Sequence, residues 1–169
     1  MKPVKEAYIP SHPDFIVVFS TGNFSSSLKA LRTFNVGEKL ALLEGITKAP
    51  KAYTTVQCGP GPHDHFELNS DLVYVNHSCN PNIAFDLSSP DPSEWHIRAL
   101  KRIIKGTSLT FFYPSTEWDM DQAFVCECRS SHCLGIIKGA KYLTKTELCT
   151  QQWINSWIWR LSAEKESSK

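Results

Sequence analysis

Four cysteines carry the strongest chemical signal in this chain. Cys79 lies in the run Asn76-His77-Ser78-Cys79-Asn80-Pro81-Asn82. Cys126, Cys128 and Cys133 form a C-x-C-x4-C cluster downstream of the hydrophobic run Leu109-Thr110-Phe111-Phe112-Tyr113. Four thiolates are a preferred shell for tetrahedral structural zinc, at about 2.3 Å per bond. His132, next to Cys133, is a weaker substitute ligand. Cys58 and Cys149 remain outside this set and read as ordinary buried or partly buried thiols, since nothing beside them in sequence lowers a thiol pKa. The segment His63-Asp64-His65 follows Gly59-Pro60-Gly61-Pro62 and reads as a solvated loop in preference to a second metal site.

These motifs together resemble the SET domain with its post-SET cysteine segment, over roughly residues 14 to 140. The block from Phe112 to Met120 looks like that of short stand-alone SET proteins found mainly in fungi. The resemblance implies that Asn76 to Asn82 threads a knot-like crossing beside a cofactor. It implies that Cys79 shares one structural zinc with Cys126, Cys128 and Cys133. It also implies transfer of a methyl group from S-adenosylmethionine to the amine of a protein lysine. Tyr113, after Leu109-Thr110, takes the position of the catalytic tyrosine. Asn76 and His77 take the positions of a cofactor-contacting pair, His77 largely through its backbone. An asparagine, with donors and an acceptor, suits the amino-acid end of such a cofactor.

Alignment on Leu28-Lys29-Ala30 places Ser25-Ser26-Ser27 where the family carries a Gly-x-Gly loop, so Ser25, Ser27 and Leu28 are the expected cofactor-loop contacts. Serine adds bulk where glycine leaves the backbone open to a ligand. Gly106-Thr107-Ser108 stands where an acidic residue is common. These departures keep three readings open. The first is the lysine methyltransferase. The second is an enzyme acting on a small molecule, even without methyl transfer. The third is a catalytically inactive binding or scaffold protein. They also leave open whether the cofactor is bound at all.

The elements that must position these residues read as mainly β: small sheets around the crossing, with short helices and a C-terminal helix. Phe15 to Phe19, Leu40 to Leu43, His65 to Leu68 and Trp95 to Leu100 read as strands, and apolar character also resumes over Leu28 to Leu31. Thr21 to Ser27 reads as a polar loop. Trp153, Ile154, Trp157, Ile158 and Leu161 fall at helical spacing. That helix packs on the domain's own surface; the alternatives are a partner or dimer contact through Trp153 and Trp157, or the cover of a substrate channel. Trp95, Trp118 and Phe124 are candidates for channel walls. The expected units are a SET domain over 14–125, a zinc segment over 126–139 and a helical extension over 140–169, with a frayed tail from Glu164.

Composition narrows the partners. The chain has 169 residues, 18 basic and 17 acidic, for a formal charge of +1. No basic stripe is present, which argues against direct nucleic-acid binding. The N-terminus lacks the apolar core of a signal peptide, and no stretch approaches a membrane span. Six cysteines, four of them with metal-ligand spacing, fit a reducing compartment better than a disulfide framework, so an intracellular site, cytoplasmic or nuclear, is expected.

Overall fold

The structure is a computed structural model that describes residues 5–22 and 24–167. Within them the backbone folds into short strands: β1 Phe15–Val18, β2 Ser27–Ala30, β3 Lys39–Leu42, β4 Thr47–Lys48, β5 Thr55–Gln57, β6 His65–Glu67, β7 Asn76–His77, β8 Ile83–Asp86, β9 His96–Ala99, β10 Thr110–Phe111, β11 Phe124–Val125 and β12 Ile136–Ile137. Two α-helices close the chain, α1 Lys145–Cys149 and α2 Ser156–Ser167. The fold is the mainly β arrangement of small sheets that the sequence predicts.

The sheets follow from local pattern. In β1, Phe15 and Val17 are buried while Ile16 and Val18 are partly exposed, so this apolar run alternates and is not buried on both faces. It pairs antiparallel with β2, placing Phe15 opposite Ala30. β3, β9 and β8 form a second sheet, and β4, β6 and β5 a third. His65, which the sequence places both at the end of a solvated loop and at the start of a strand, belongs to the strand: it lies buried in β6 with its ring beside the Thr55 hydroxyl at 3.3 Å. Asp64 turns back to accept from the Gly61 amide at 2.7 Å.

The crossing that positions the site joins β7 to β10 in parallel, Asn76 opposite Thr110 and His77 opposite Phe111. Two-residue strands cannot hold this alone, and side chains supply the rest. Asn82 Oδ1 accepts from the Thr110 amide at 2.8 Å, and Asn82 Nδ2 donates to the Ser108 carbonyl at 2.8 Å. Phe15, Leu28, Phe34, Ile83, Phe85, Ile97, Ile103 and Leu109 are fully buried around the crossing.

The C-terminal helix starts later than its apolar spacing suggests. Trp153 and Ile154 precede α2 in non-helical backbone. Asn155, buried just before the helix, spends its side chain on long-range bonds: Nδ2 donates to the Phe85 and Ser115 carbonyls at 3.0 and 3.1 Å, and Oδ1 accepts from the Leu87 amide at 3.2 Å. Trp157 points inward, 7% exposed, and its indole N–H donates to the Thr116 carbonyl at 3.1 Å. The partner-contact reading of Trp157 is therefore corrected: it is an anchor of the domain itself. Trp153 is half-buried, with the Arg98 guanidinium 5.0 Å from its ring centroid.

Candidate active site and metal centre

The turn that carries Tyr113, the candidate catalytic residue, starts where β10 ends. Tyr113–Ser115 forms a 3₁₀ turn with Pro114 in its first positions. The Tyr113 carbonyl accepts from the Thr116 and Glu117 amides at 3.1 and 3.0 Å. The Tyr113 amide donates to His77 Nδ1 at 3.1 Å, and its hydroxyl donates to the Val75 carbonyl at 3.1 Å. Burial first, then the nearby Glu117 carboxyl, push the phenol well above its ordinary pKa. The hydroxyl thus keeps its proton, directs it at Val75, and can present its oxygen only as an acceptor. The rings of His77, Tyr113 and Phe124 pack mutually edge to face, with centroids 5.2 to 5.9 Å apart. Phe124 accordingly lies at the site, whereas Trp95 packs on Phe66 and donates its indole N–H to the Ser89 carbonyl. Trp118 is tied behind the turn, its amide donating to Gln57 Oε1 at 2.8 Å.

The candidate metal centre forms where the chain returns along β11 and β12. The ligand sulfurs of Cys79, Cys126, Cys128 and Cys133 all lie within 4.8 Å of one another. The Cys79 and Cys126 sulfurs are 3.9 Å apart. A tetrahedral zinc with bonds of about 2.3 Å sets its ligands about 3.8 Å apart, so these residues fit the ion. Cys79 Sγ also accepts from the Leu134 amide at 3.4 Å and lies 3.4 Å from His77 Nε2. Burial pushes the Cys126 thiol up to about 11. For Cys128 burial acts in the same direction, but the backbone amides of Ser130 and Cys79 and the neighbouring thiols outweigh it and bring the thiol down to about 6. His132 stands outside the cluster, exposed, its Nδ1 beside the Ser131 hydroxyl at 3.0 Å. Cys58 is half-buried and held up to about 11, chiefly by that burial, with no sign of a reactive thiolate.

Across from the tyrosine, Asn76 Nδ2 donates to the Ser26 carbonyl at 2.8 Å, joining the Asn-His strand to the serine loop. The Ser25 hydroxyl turns back to the Thr21 and Gly22 carbonyls at 3.2 and 3.0 Å. Ser27 opens β2 opposite Val18, half-buried. Leu28 is fully buried and its carbonyl accepts from the Leu109 amide at 2.8 Å, so it forms the floor of the loop. Phe24, in the same loop, takes a left-handed φ of 57° with its side chain 67% exposed.

Two residues escaped the sequence reading. Glu117 is buried, and its Oε1 accepts from the Gln57 amide at 2.7 Å and the Thr116 hydroxyl at 3.3 Å. Burial lifts its carboxyl to about 7 against the lowering effect of those donors. Gln57 clamps the turn from β5, through its own amide to Glu117 and its Oε1 to Trp118. The available signal was an acidic residue next to Trp118, four positions after Tyr113.

The SET domain profile matches residues 29–114, more than half of the chain. The chain belongs to the SET-domain family. A methyltransferase named flvH from Aspergillus flavus is 40% identical over 159 residues, covering 93% of this chain and 86% of that protein. The histone-lysine N-methyltransferase ash1 of Drosophila melanogaster is 27% identical over 90 residues, 48% of this chain, and the chain spans only 4% of its length. Among solved structures, KRYPTONITE in complex with mCHG DNA and SAH superposes with a TM-score of 0.54 at 17% identity, over 72% of this chain and 29% of that one. The SET match thus runs from within β2 through β10 and ends at Pro114, directly after Tyr113, while Cys126, Cys128 and Cys133 lie beyond it.

Proposed function

We propose that this SET protein transfers a methyl group from S-adenosylmethionine to the ε-amine of a protein lysine. The observation that carries the reading is the Tyr113 hydroxyl, whose proton is committed to the Val75 carbonyl and whose oxygen is left as an acceptor. An amine attacks only when neutral, and free lysine has a pKa of about 10.4. A buried acceptor does not deprotonate it. It accepts an N–H and so aims the lone pair, while burial disfavours the ammonium.

The cofactor would supply an electrophilic methyl on sulfonium. Asn76 would hold its amino-acid end: Nδ2 is spent on Ser26, but Oδ1 remains able to accept from an ammonium. Ser25, Ser27 and the backbone of His77 would border it, with Leu28 beneath. Zinc at the four cysteines would hold β11 and β12, and with them Phe124, against Tyr113. The metal's part is structural, since four cysteines leave no open position for a substrate.

Zinc-loaded protein incubated with methyl-labelled S-adenosylmethionine and lysine peptide arrays should transfer label to peptide, and Tyr113→Phe should abolish most of it. A second reading, methylation of a small amine, is favoured by one observation. The relative matched over 93% of this chain carries the name methyltransferase without a histone substrate, whereas ash1 matches 48%. Label passing to a metabolite extract and not to peptides selects that reading. Absence of cofactor binding in well-folded, zinc-loaded protein overturns both.

A further inference from the structure

We propose that Glu117 is a positioning residue for methyl transfer: its charge state decides which of two acceptors takes the buried Thr116 hydroxyl proton, and so how firmly the turn that carries Tyr113 is closed. The inference deepens the proposed function and rests on its assignment of Tyr113, but the switch itself requires neither the methyl donor nor a substrate. Two bonds of one side chain carry it. Thr116 Oγ1 lies 3.2 Å from the Tyr113 carbonyl oxygen and 3.3 Å from Glu117 Oε1. A hydroxyl has one proton, so it serves one of these acceptors at a time. Thr116 is fully buried, and solvent does not compete for that proton.

The two choices differ in what they do to the turn. The Tyr113 carbonyl already accepts from the Thr116 and Glu117 amides, at 3.1 and 3.0 Å. Those two donors fill the two lone pairs of a carbonyl oxygen. A hydroxyl directed there is a third donor, and one of the turn-closing bonds weakens to admit it. Directed at Glu117, the hydroxyl leaves both amide bonds whole. Glu117 Oε1 then accepts it beside the Gln57 amide at 2.7 Å, while Gln57 Oε1 holds the Trp118 amide at 2.8 Å. This second arrangement therefore also ties the turn to β5.

Charge makes the choice. An ionised carboxylate draws a hydroxyl proton more strongly than a peptide carbonyl does, and a protonated carboxyl loses that advantage. Glu117 is 9% exposed, so little solvent screens the difference. Burial holds its carboxyl up to about 7, against the lowering effect of Gln57, Thr116 and Lys51, so its charge changes near neutral pH. The other titratable groups facing it are the Cys58 thiol after β5 and the Tyr113 phenol. Both are held up first by burial and further by nearby carboxylates, Glu117 among them, and stay neutral through that range. Lys141, next to the Ala140 amide that meets the Glu117 carbonyl, is occupied by Asp119 at 3.0 Å. Above the charge step the hydroxyl sits on Glu117 and the Tyr113 turn is closed; below it the turn is loosened.

Carbon-13 resonances of the Glu117 carboxyl and the Tyr113 carbonyl report both ends of the switch. They are followed in the zinc-loaded full-length chain between about pH 5 and about pH 9. The Tyr113 carbonyl should shift with the same midpoint as the Glu117 carboxyl. Thr116→Val keeps the shape of the side chain and removes the proton. It should leave Glu117 titrating and abolish the step at Tyr113, whereas Thr116→Ser should retain the step. In transfer of labelled methyl, the ratio of wild-type to Thr116→Val rates cancels the titration of the acceptor amine. That ratio should rise about 2- to 10-fold between about pH 6 and about pH 8, the worth of one hydrogen bond. A wild-type Tyr113 carbonyl that ignores the Glu117 titration overturns the inference even if the variants fail to fold. So does an equal Tyr113 step in Thr116→Val, or a flat ratio of rates. Absence of methyl transfer altogether removes the proposed function and leaves the carbonyl readout to decide the switch, so the two ideas fall separately.

Discussion

The two banks of the site are built differently. On the tyrosine bank, the Tyr113 amide, carbonyl and hydroxyl each have a protein partner, and Glu117 and Gln57 brace the turn from behind. On the serine bank, the Ser25 hydroxyl bonds, among the described residues, to carbonyls of its own loop, Phe24 is exposed at a left-handed φ, and Asn76 supplies a tie from outside. The group proposed to aim the acceptor nitrogen is thus preset by the fold. The group expected to grip the methyl donor is held mainly by its own turn. Specificity of geometry sits on one bank and latitude on the other.

The largest effect on this contrast should come from the metal. Stripping zinc with a chelator should expose residues 124–139 to protease while the region around Phe15, Phe85 and Ile97 stays resistant, read by limited proteolysis with mass mapping. Uniform protection with and without chelator would remove zinc from the tyrosine bank. Tyr113→Phe comes next, with transfer falling about 100-fold at unchanged zinc content, since one preset polar group at a reacting centre is worth that much. An unchanged rate would take Tyr113 out of the chemistry.

Glu117 gives a pH signature. Its folded pKa of about 7 lies above the ordinary 4.5. A carboxyl raised by folding stabilises fully below pH 4.5, and that contribution is lost as pH rises toward 7. Glu117→Gln should flatten this slope, by at most about 3 kcal/mol, in denaturant titrations run across that window. A slope identical to wild type would mean the carboxyl is already ionised in the folded protein. Gly139→Ala should cost about 2 kcal/mol or more in the same titration. Its φ is +118° and an added Cβ would meet the Trp118 carbonyl at 2.5 Å, so the segment following β12 would lift off the turn behind Tyr113. The smallest effect belongs to the serine bank. Phe24→Gly relieves a left-handed φ but loses the edge contact with Tyr53, and stability should move by less than about 1 kcal/mol. A larger loss would show that the loop is as firmly built as the tyrosine side.

What the sequence disclosed and what it hid divide along the same physical line. Ligand chemistry is local in type and spacing, so Cys126, Cys128 and Cys133 could be read directly, and with them Cys79 and Tyr113. Strand β1 announced itself by a run of β-branched and aromatic residues, and β9 by alternation of Trp95, Ile97 and Ala99 with more polar positions. β7 and β10, two residues each, are too short to carry a period and exist because Asn82 ties them. The brace of Glu117 by Gln57 spans sixty positions, and no local pattern encodes it. Helix α2 starts late for the same reason: Asn155 is claimed by Phe85 and Ser115. One signal was legible and passed over. Thr144 and Glu147 form a capping box at the start of α1, and the Thr-x-x-Glu spacing marks it in the sequence.

The long reach of Asn155 and Trp157 has a consequence for how the protein is made. A ribosome delivers the chain from its N-terminus, and the segment containing Asn76, His77 and Tyr113 is complete long before α2 emerges. Yet the Ser115 and Thr116 carbonyls next to Tyr113 receive their donors, among the described residues, from Asn155 and Trp157. The turn beside Tyr113 therefore cannot be finished while the chain is still being extended. Pairings this distant in sequence are slow to close. A truncation before residue 155 would leave the crossing residues in place and the turn beside Tyr113 without its final clasp, a nascent chain with every motif and no working site.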